Sequence, residues 1–438
     1  ATQDLDQIPF MRPITKWAYS IPYVDKVQEA VRKAFRVALT EPQGPTHIEA
    51  ASEVLLQQIA PEPTAPAAYR HTVPAVCDPA QIDAAWDLIS KAQRPLFVIG
   101  RGVMKERAVA AMQKLTEATG IPAAALQYSP DAFPASHPMA LGPLGRNGFA
   151  SANRAAPQAD VIIAVGAHFD VFSTLYKYGI FSENAKIIHQ TSAAGQIGIV
   201  FPVALGIAGS ATSFIDGLAA RAAKTGARKP WVDVAKLRAE GEAELQKVLK
   251  PDAQPIQPQF VAHIIRKALP ENGILVVDAG NGGKHVRSYF KSYEPDTFLC
   301  MDDWASVGGA LPIAMGVKLA RPDRPVLCTG GDMGAMCNIG ELETAVRENI
   351  PVVYVVFNDE GLGNERAFQN EHFGGRYFAV DYKNPDFGAL AKVFGAHGER
   401  VTRPQELEGA IKRAFASGKP AVIDVMIDQN SLAPVIHR

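Results

Sequence analysis

The chain has 438 residues, of which 47% are hydrophobic, so it can bury large cores divided among two to four domains. Its 44 Lys and Arg residues nearly balance its 45 Asp and Glu residues, and the formal net charge is −1. Without a basic excess or a dense basic run, nothing attracts nucleic acid or an anionic membrane. We therefore expect small molecules and protein subunits as partners.

The cysteines and the apolar runs indicate the cellular compartment. No Cys-x-x-Cys pair occurs, and three of the four cysteines lie in or beside apolar runs typical of buried thiols; the four are Cys77, Cys300, Cys328 and Cys337. No apolar run approaches membrane-spanning length, and the N-terminal stretch has no basic region followed by a hydrophobic one. The sequence predicts a protein of the reducing cytoplasm, with neither signal peptide nor membrane anchor.

Residues 1–60 have the pattern of the last helix and strand of an α/β domain. Apolar residues recur at helical spacing from Val24 to Ala38, and a Pro/Gly turn leads into the strand-like "THIEA". Prolines in residues 61–77 predict an extended linker. About 60 residues is short for an α/β domain, which typically has roughly 100 to 150, so we expect part of this domain to lie upstream.

Two further blocks, residues 78–228 and 255–438, alternate helical patterns with β-rich runs. The runs include "PLFVIG" and "DVIIAVGA" in the first block, and "GILVVDAG" and "PAVIDVMID" in the second. This alternation predicts parallel sheets covered by helices on both faces. The expected fold is α/β, with three doubly wound parallel-sheet domains of which the first is only partly present.

Two acids flank one strand, helix and strand unit in the last block. Asp332 follows "VLCTGG", and Asp359 follows "VVYVVF" after a helix predicted from "AMCNIGELETAVREN". The apolar stripe of this helix would comprise Met336, Ile339, Leu342, Ala345 and Val346. Because a right-handed crossover makes the strands parallel, both acids should emerge at the carboxyl edge of the sheet, where ligands bind.

Glycines beside the first acid suit an anionic ligand. Gly331 and Gly334 let backbone amides and a helix N-terminus approach an anion closely. Two carboxylates next to such a turn favour a site in which Mg²⁺ bridges the carboxylates and a bound diphosphate. The alternative is that Asp332 caps the helix and Asp359 begins a turn, which is the commoner role of a single aspartate.

Together these features resemble thiamine-diphosphate-dependent enzymes of the acetolactate synthase-like superfamily, whose signature is Gly-Asp-Gly, a helix and a strand, then Asn-Asn. This chain has Gly331-Asp332-Met333 and Asn358-Asp359 there, so Met333 and Asp359 depart from the pattern. The resemblance implies that Asp332, Asp359 and the backbone carbonyl of Gly361 bind Mg²⁺. The extra charge of Asp359 predicts a stronger dependence on the metal, and Lys284 or Arg366 are candidates to compensate it.

The resemblance covers essentially the whole chain and implies further contacts. Val307 matches the apolar residue that holds the cofactor folded, and "DAGNGG" is similar to a second diphosphate-contacting loop. Leu362 and Asn364 match positions facing the reacting carbon and are the candidate catalytic residues. The implied cofactor contacts are Asn281, Gly282, Ala305, Ser306, Val307, Gly331, Asp332, Met333, Gly334, Asp359, Gly361 and Leu362.

One family residue has no counterpart. The family's glutamate that protonates the aminopyrimidine would lie upstream of "TQDLDQ", and Glu49 is at the wrong position to replace it. We expect either that the chain is a fragment or that another polypeptide supplies the glutamate. Because family members bind the cofactor between subunits, a homodimer or homotetramer is also expected.

The central block and two histidines leave alternatives open. "GRGVMK" lacks the third glycine of a dinucleotide fingerprint, so it is a weak nucleotide signal. Related acetolactate synthases carry FAD there, with Arg in place of His168, and bound FAD or ADP remains an alternative. His285 could reach a phosphate and His372 a substrate, although a structural role is commoner for a lone histidine.

The resemblance implies an enzyme whose cofactor serves as an electron sink for carbon–carbon cleavage or formation. Our first hypothesis is a decarboxylase or carboligase acting on a 2-oxo acid or related carbonyl substrate. The alternatives with the same cofactor are a 2-hydroxyacyl-CoA or acyloin lyase and a cyclic diketone hydrolase. An alternative of another class is a non-catalytic cofactor-binding or regulatory subunit.

Overall fold

The computed structural model describes residues 5–60, 64–70, 75–176, 179–301, 304–431 and 433. Three parallel sheets follow one another along these residues, one with two strands and two with six strands each. Helices connect successive strands, as parallel pairing requires. The chain is therefore an α/β protein, as the alternation of patterns predicted.

The N-terminal part contains the two-stranded sheet. Strand β1 pairs in parallel with β2, and Ile21 and Ala30 are buried between the sheet and helix α2. A parallel pair with one crossover helix is the smallest unit of a doubly wound sheet. The elements are α1 (Gln7–Met11), β1 (Trp17–Ile21), α2 (Val27–Leu39), β2 (Thr46–Ala50) and α3 (Ser52–Leu55).

The central part contains a six-stranded sheet with the order β5-β4-β3-β6-β7-β8. The chain adds β4 and β5 on one side of β3, and β6, β7 and β8 on the other side. This reversal of strand order between β3 and β6 creates a crevice at the carboxyl ends of these two strands. The elements are α4 (Pro79–Lys91), β3 (Pro95–Ile99), α5 (Arg101–Lys105), α6 (Val109–Thr119), β4 (Ala123–Leu126), β5 (Ala140–Leu144), α7 (Ala150–Ala155), β6 (Val161–Val165), α8 (Val171–Thr174), β7 (Lys186–Thr191), β8 (Leu205–Ala208), α9 (Ala211–Ala222) and α10 (Val234–Val248).

The C-terminal part contains the second six-stranded sheet, with the order β10-β9-β11-β12-β14-β13. Strands β11 and β12 are neighbours at its centre. The elements are α11 (Pro258–Ala268), β9 (Ile274–Val277), α12 (Asn281–Tyr289), β10 (Phe298–Cys300), α13 (Ala310–Ala320), β11 (Val326–Gly331), α14 (Asp332–Asn338), α15 (Glu341–Arg347), β12 (Val353–Asn358), α16 (Gly363–Phe373), α17 (Phe387–Val393), β13 (His397–Val401), α18 (Pro404–Ala416) and β14 (Ala421–Met426).

Strand β12 shows how the C-terminal sheet is buried on both faces. Val353, Val355 and Phe357 pack into one apolar core, whereas Tyr354 and Val356 pack into another on the opposite face. Successive side chains of a strand point to opposite faces, so a continuous apolar run fills both cores. The sheet is therefore covered by apolar side chains on both faces up to the point where β12 ends.

The helix between these strands differs from the prediction. It divides into α14 and α15, with Gly340 preceding the second helix. The predicted stripe is interrupted at this break, so Leu342 and Ala345 are buried but Met336 is 44% exposed. The reason is that the expected stripe assumed one unbroken 3.6-residue period across the break at Ile339 and Gly340.

The described residues include all four cysteines. All four cysteines are free thiols; Cys77 and Cys328 are buried, Cys300 is partly buried and Cys337 is exposed. In the described part of the chain, no helix has both the length and the apolar character needed to cross a membrane.

Part of the predicted 61–77 linker, residues 61–63 and 71–74, lies outside the described residues.

Candidate functional site

The two acids of the motif lie at one edge of the C-terminal sheet. Strand β11 ends at Gly331 and β12 at Asn358, and Gly331 is opposite Phe357 in their parallel register. Asp332 and Asp359 each follow directly after their strand. The crossover therefore brings them to the same edge, as the parallel pairing predicted.

Asp332 is buried and fully hydrogen-bonded. It is 1% exposed, and one carboxylate oxygen, Oδ1, accepts the Met333 amide at 2.7 Å and the Tyr382 hydroxyl at 2.8 Å. The other, Oδ2, accepts Asn384 Nδ2 at 2.7 Å and the Gly361 amide at 3.3 Å. Burial raises the pKa of Asp332, and these donors oppose that rise.

The carbonyl of Gly361 lies beside the same carboxylate. The Tyr382 hydroxyl is 3.1 Å from the Gly361 carbonyl oxygen and 2.8 Å from Asp332 Oδ1. A hydroxyl has one hydrogen to donate, so it can satisfy only one of these oxygens at a time. Two of the three predicted metal-binding oxygens therefore lie close together, within hydrogen-bond distance of the same hydroxyl.

The second carboxylate of the site belongs to Asp359, and little positive charge lies near it. Its pKa is raised to about 7, first by burial and then by the negative charge of Asp332. A Cβ built on Gly363 would lie 2.6 Å from Asp359 Oδ2, so a larger residue there would displace this carboxylate from its present position. A divalent cation between the acids would remove the repulsion that raises this pKa.

The oxygen set fits Mg²⁺. Among the described residues, no group of three His, Cys, Asp or Glu side chains is placed to hold a metal. An ion would therefore be bound by the Asp332 and Asp359 carboxylates, the Gly361 carbonyl and ligands from outside the chain. Magnesium typically takes one or two protein carboxylates together with phosphate oxygens and water.

A buried aspartate joins two loops at this edge. Asp278 follows β9, is fully buried, and accepts the Gly308 amide at 2.9 Å and the Ala279 amide at 2.9 Å. A Cβ on Gly334 would lie 2.7 Å from Asp278 Oδ2, so that glycine makes room for the carboxylate. Asp278 therefore positions the turn that contains Val307 beside the start of α14.

Asn281 and Gly282 begin α12 at the same edge. Asn281 bonds through its side chain to the Ser431 carbonyl at 3.3 Å and the Ala433 amide at 3.2 Å. A Cβ on Gly282 would lie 3.0 Å from the Phe357 ring. The first amides of a helix have no partner within the helix, so α12 and α14 both present amides suited to a diphosphate.

The predicted thiazolium-supporting residues lie on the surface. Ala305, Ser306 and Val307 are exposed, and Val307 is 50% exposed. Ala305 has a φ of 49°, in the left-handed region that non-glycine residues rarely adopt. An exposed valine held by a strained turn beside the acids indicates a contact with a ligand or another chain rather than a core position.

The candidate catalytic residues lie at the start of α16. The Leu362 amide donates to the Val380 carbonyl at 2.8 Å, and the Asn364 side-chain carbonyl accepts the Lys284 ammonium. Arg366 binds Asp381 at 2.6 Å and is the weakest of the influences on the Asp359 pKa. Neither basic residue pairs directly with Asp359 in the described structure.

The two candidate histidines lie in different surroundings. His285 is buried, its Nε2 lies 3.3 Å from the Ser431 carbonyl, and burial lowers its pKa to about 4. It is therefore uncharged at neutral pH. The His372 ring packs against the Phe368 ring, with centroids 4.4 Å apart and planes tilted by 49°.

Two residues of the site were missed by the sequence analysis. Tyr382 and Asn384 follow α16 and reach back to Asp332 through a short bridge between Gly361 and Asp381. Asn384 also donates to Asn358 at 3.0 Å. They belong to no periodic pattern, and the only signal was a polar pair in "DYKNPD" ahead of a helix.

The crevice of the central sheet is a separate cavity of about 320 Å³. Arg101, Lys105 and His168 line it. A Cβ on Gly102 would lie 2.7 Å from Gly166 Cα, so these glycines let the ends of β3 and β6 approach. The Gln190 side chain is buried against the Gly209 carbonyl at 2.7 Å and the Gly166 amide at 2.8 Å, so it is not available to a ligand.

Comparisons with known proteins agree with this geometry. Residues 82–218 match the family described as "Thiamine pyrophosphate enzyme, central domain", and residues 278–425 match "Thiamine pyrophosphate enzyme, C-terminal TPP binding domain". The latter match includes both acids, Gly361 and the Asp278 loop.

Alignments with similar proteins cover all or nearly all of this chain. A probable acetolactate synthase large subunit from Methanocaldococcus jannaschii is 31% identical over 100% of this chain and 75% of its own length. A sulfoacetaldehyde acetyltransferase from Castellaniella defragrans is 28% identical over 97% of this chain and 75% of its own length. The acetolactate synthase isozyme 3 large subunit of Escherichia coli is 27% identical over 98% of this chain and 76% of its own. The chain therefore belongs to the thiamine pyrophosphate enzyme family, in its acetolactate synthase-like group.

Proposed function

We propose that this chain binds thiamine diphosphate through Mg²⁺ and takes part in cleaving or forming a carbon–carbon bond of a 2-oxo acid or related carbonyl substrate. The observation that carries the proposal is that Asp332, Asp359 and the Gly361 carbonyl lie at one edge of the sheet, beside the first residues of α12 and α14. When bound, the cofactor supplies an electron sink for the reacting carbon. The chain supplies the binding, the orientation and the electrostatics.

Each part of the site has a separate task. Asp332, Asp359 and the Gly361 carbonyl hold the metal, and the amides that begin α12 and α14 receive the diphosphate. Val307 provides the apolar surface against the rings. Leu362 shapes the pocket, and Asn364 orients an acceptor.

The subunit arrangement is also a proposal. The family's glutamate in the pyrimidine-binding domain matches no residue of this sequence, and the curated relatives are longer than the part that this chain matches. We propose that the glutamate comes from a further segment of the protein or from a separate polypeptide, and that a homodimer or homotetramer forms the site. The free thiols support the cytoplasm as the compartment.

Cofactor binding and turnover together test the proposal. We expect full-length protein to bind thiamine diphosphate only with Mg²⁺, as followed by isothermal titration calorimetry, and to consume pyruvate. Binding with turnover of an acyloin, a 2-hydroxyacyl-CoA or a cyclic diketone, but not pyruvate, would favour the lyase or hydrolase alternatives. Binding without turnover of any of these would favour a regulatory subunit, and no binding at all would contradict every alternative.

The crevice of the central sheet supports a second proposal, that FAD or ADP binds there. Arg101 and Lys105 provide positive charge at the switch point of a doubly wound sheet, where nucleotides bind. Protein purified without added nucleotide is denatured, and the supernatant is analysed by absorbance and chromatography. Neither nucleotide in the supernatant, and no binding when either is added, would contradict this second proposal.

A further inference from the structure

Four hydrogen-bond donors surround the Asp332 carboxylate. Its Oδ1 accepts the Met333 amide at 2.7 Å and the Tyr382 hydroxyl at 2.8 Å. Its Oδ2 accepts Asn384 Nδ2 at 2.7 Å and the Gly361 amide at 3.3 Å. An ionised carboxylate offers about four lone-pair positions to donors. The described residues already use all of these positions, so a cation that binds through Asp332 has to take the place of one donor.

The two backbone donors are fixed by the fold. The Met333 amide belongs to the first turn of α14, which follows β11 without a loop. The Gly361 amide belongs to a backbone bridge between Gly361 and Asp381, beside a hydrogen bond from the Leu362 amide to the Val380 carbonyl at 2.8 Å. Neither amide can move away from the carboxylate unless backbone hydrogen bonds also break.

Asn384 is fixed through a second hydrogen bond. Its Nδ2 donates to Asn358 Oδ1 at 3.0 Å as well as to Asp332. Asn358 in turn donates to the buried carboxylate of Asp424 at 2.9 Å. Turning the Asn384 amide away from Asp332 would also break its bond to Asn358. This donor therefore orients the carboxylate and does not give up its place to a cation.

The Tyr382 hydroxyl is the donor that can leave. It lies 3.1 Å from the Gly361 carbonyl oxygen as well as 2.8 Å from Asp332 Oδ1, and its single hydrogen rotates to suit the acceptor. The side chain is partly exposed, so water can replace the protein as its partner. Its two acceptors are also two of the oxygens assigned to the cation, and a cation bound there repels the hydroxyl hydrogen.

We propose that the Tyr382 hydroxyl competes with the divalent cation for Asp332 Oδ1 and the Gly361 carbonyl, and that it turns away when the cation binds. The inference rests on the proposed function, because that function assigns both oxygens to the cation. Losing a hydrogen bond to a charged group weakens cation binding about tenfold. The cation on its own therefore binds weakly, and oxygens of the diphosphate compensate for this cost.

Opposite changes in metal affinity at two neighbouring positions test the inference. Mn²⁺ binding to full-length protein is measured by electron paramagnetic resonance, with and without thiamine diphosphate. We expect Tyr382→Phe to bind Mn²⁺ about tenfold more tightly than the unmodified protein. Asn384→Ala should bind it about tenfold more weakly, because it loses a donor that orients the ligand. Tyr377→Phe, which removes a hydroxyl bonded to Asn370, is the matched control and should leave the affinity unchanged.

A hydroxyl that only orients Asp332 would change the affinity in the other direction. Tyr382→Phe would then bind Mn²⁺ more weakly, as Asn384→Ala does, and the inference would be overturned. Far-ultraviolet circular dichroism checks the fold of each variant. A loss of structure also weakens metal binding, so it cannot imitate the expected gain.

Fluorine magnetic resonance follows the Tyr382 side chain directly. Full-length protein is labelled with 3-fluorotyrosine, and the resonance that is absent from Tyr382→Phe identifies Tyr382. We expect this resonance to move when Mg²⁺ is added in the presence of thiamine diphosphate, whereas the Tyr377 resonance, identified in the same way, should stay. A Tyr382 resonance that is unchanged at saturating Mg²⁺ would contradict the displacement.

The metal measurements also separate this inference from the proposed function. Equal Mn²⁺ binding by the unmodified protein and Tyr382→Phe would overturn the inference alone, because the cation would still be bound. Binding by Tyr382→Phe that exceeds binding by the unmodified protein supports both. Absence of Mn²⁺ binding by either protein in the presence of thiamine diphosphate would contradict the proposed function itself, and the inference with it.

Discussion

At the scale of single residues, the site depends on glycines next to buried carboxylates, because a glycine has no side chain that would enter the space beside the carboxylate. The Asp359 carboxylate lies beside Gly363 in space that an added Cβ would enter, and the Asp278 carboxylate lies in the same way beside Gly334. Tyr382 holds the Asp332 carboxylate and the Gly361 carbonyl around one position. These contacts turn two acids at a sheet edge into a defined set of oxygens.

Replacing Gly363 with alanine should displace Asp359. The new Cβ would lie 2.6 Å from Asp359 Oδ2, so we expect the Mg²⁺ affinity in the presence of thiamine diphosphate to fall more than tenfold. Isothermal titration of the full-length variant measures this. Gly316→Ala is the control, because a Cβ there meets nothing within 4 Å, and its affinity should be unchanged. An unaltered affinity for Gly363→Ala would contradict the assigned place of Asp359.

Replacing Tyr382 with phenylalanine removes the hydroxyl that donates its one hydrogen to either Asp332 Oδ1 or the Gly361 carbonyl. We expect the free energy of unfolding of the metal-free protein to fall by about 1 to 2 kcal/mol. Saturating Mg²⁺ and thiamine diphosphate should reduce this loss, because the metal then satisfies the same oxygens. Denaturant unfolding measures both. Tyr377→Phe, which removes an exposed bond to Asn370, is the control, and an equal loss in the two variants would contradict the role of Tyr382.

At the scale of elements, parallel pairing accounts for what the sequence could predict. Apolar runs and crossover handedness place Asp332 and Asp359 at one edge, because each acid follows a strand directly. Tyr382 and Asn384 could not be predicted in the same way, since they reach Asp332 through an irregular loop. The division into α14 and α15 was also missed, because the helical period was extended through the break at Ile339 and Gly340.

The ends of β12, β13 and β14 are joined by one buried acid. Asp424 accepts Arg400 Nε at 2.8 Å, Asn358 Nδ2 at 2.9 Å and the Phe387 amide at 3.0 Å. Burial raises the pKa of Asp424, and Arg400 is among the groups that oppose this. Asp424, held by Arg400, therefore fixes the side chain of Asn358, and Asn358 immediately precedes Asp359.

Replacing Arg400 with methionine should leave Asp424 buried without its cationic partner. We expect the free energy of unfolding to fall by roughly 3 kcal/mol, as measured by denaturant unfolding. Arg413→Met is the control, because Arg413 and its partner Glu399 lie nearer the surface, and its loss should be about 1 kcal/mol or less. Similar losses for the two substitutions would contradict a structural role for the buried pair.

At the scale of the whole molecule, the site depends on how the central and C-terminal parts meet. Asp131 of the central part accepts the Thr297 amide at 3.1 Å and the Phe298 amide at 3.2 Å, at the start of edge strand β10. Its other carboxylate oxygen is buried without a partner among the described residues. Sequence patterns alone define each sheet but not the polar contacts between sheets.

Asp131 should make this junction sensitive to pH. Burial raises its pKa from 3.8 to about 7, so the folded protein binds a proton that the unfolded chain has released. Its stabilising contribution is complete below pH about 4 and is lost as the pH rises through about 7. Asparagine does not titrate, so the Asp131→Asn variant lacks this loss of stability. We expect its free energy of unfolding, relative to that of the unmodified protein, to increase by roughly 3 kcal/mol as the pH rises from about 4 to about 7. Denaturant unfolding at pH 5, 6, 7 and 8 measures the difference, and a constant difference would contradict the assignment.

The account depends most on one divalent cation held by Asp332 and Asp359. The most direct measurement is electron paramagnetic resonance of Mn²⁺, a substitute for Mg²⁺, in full-length protein with thiamine diphosphate. We expect one bound ion per chain in the unmodified protein, and at least a hundredfold weaker binding in Asp332→Asn and Asp359→Ala. Tight binding of Mn²⁺ that survives both substitutions would show that the metal lies elsewhere and would contradict the account.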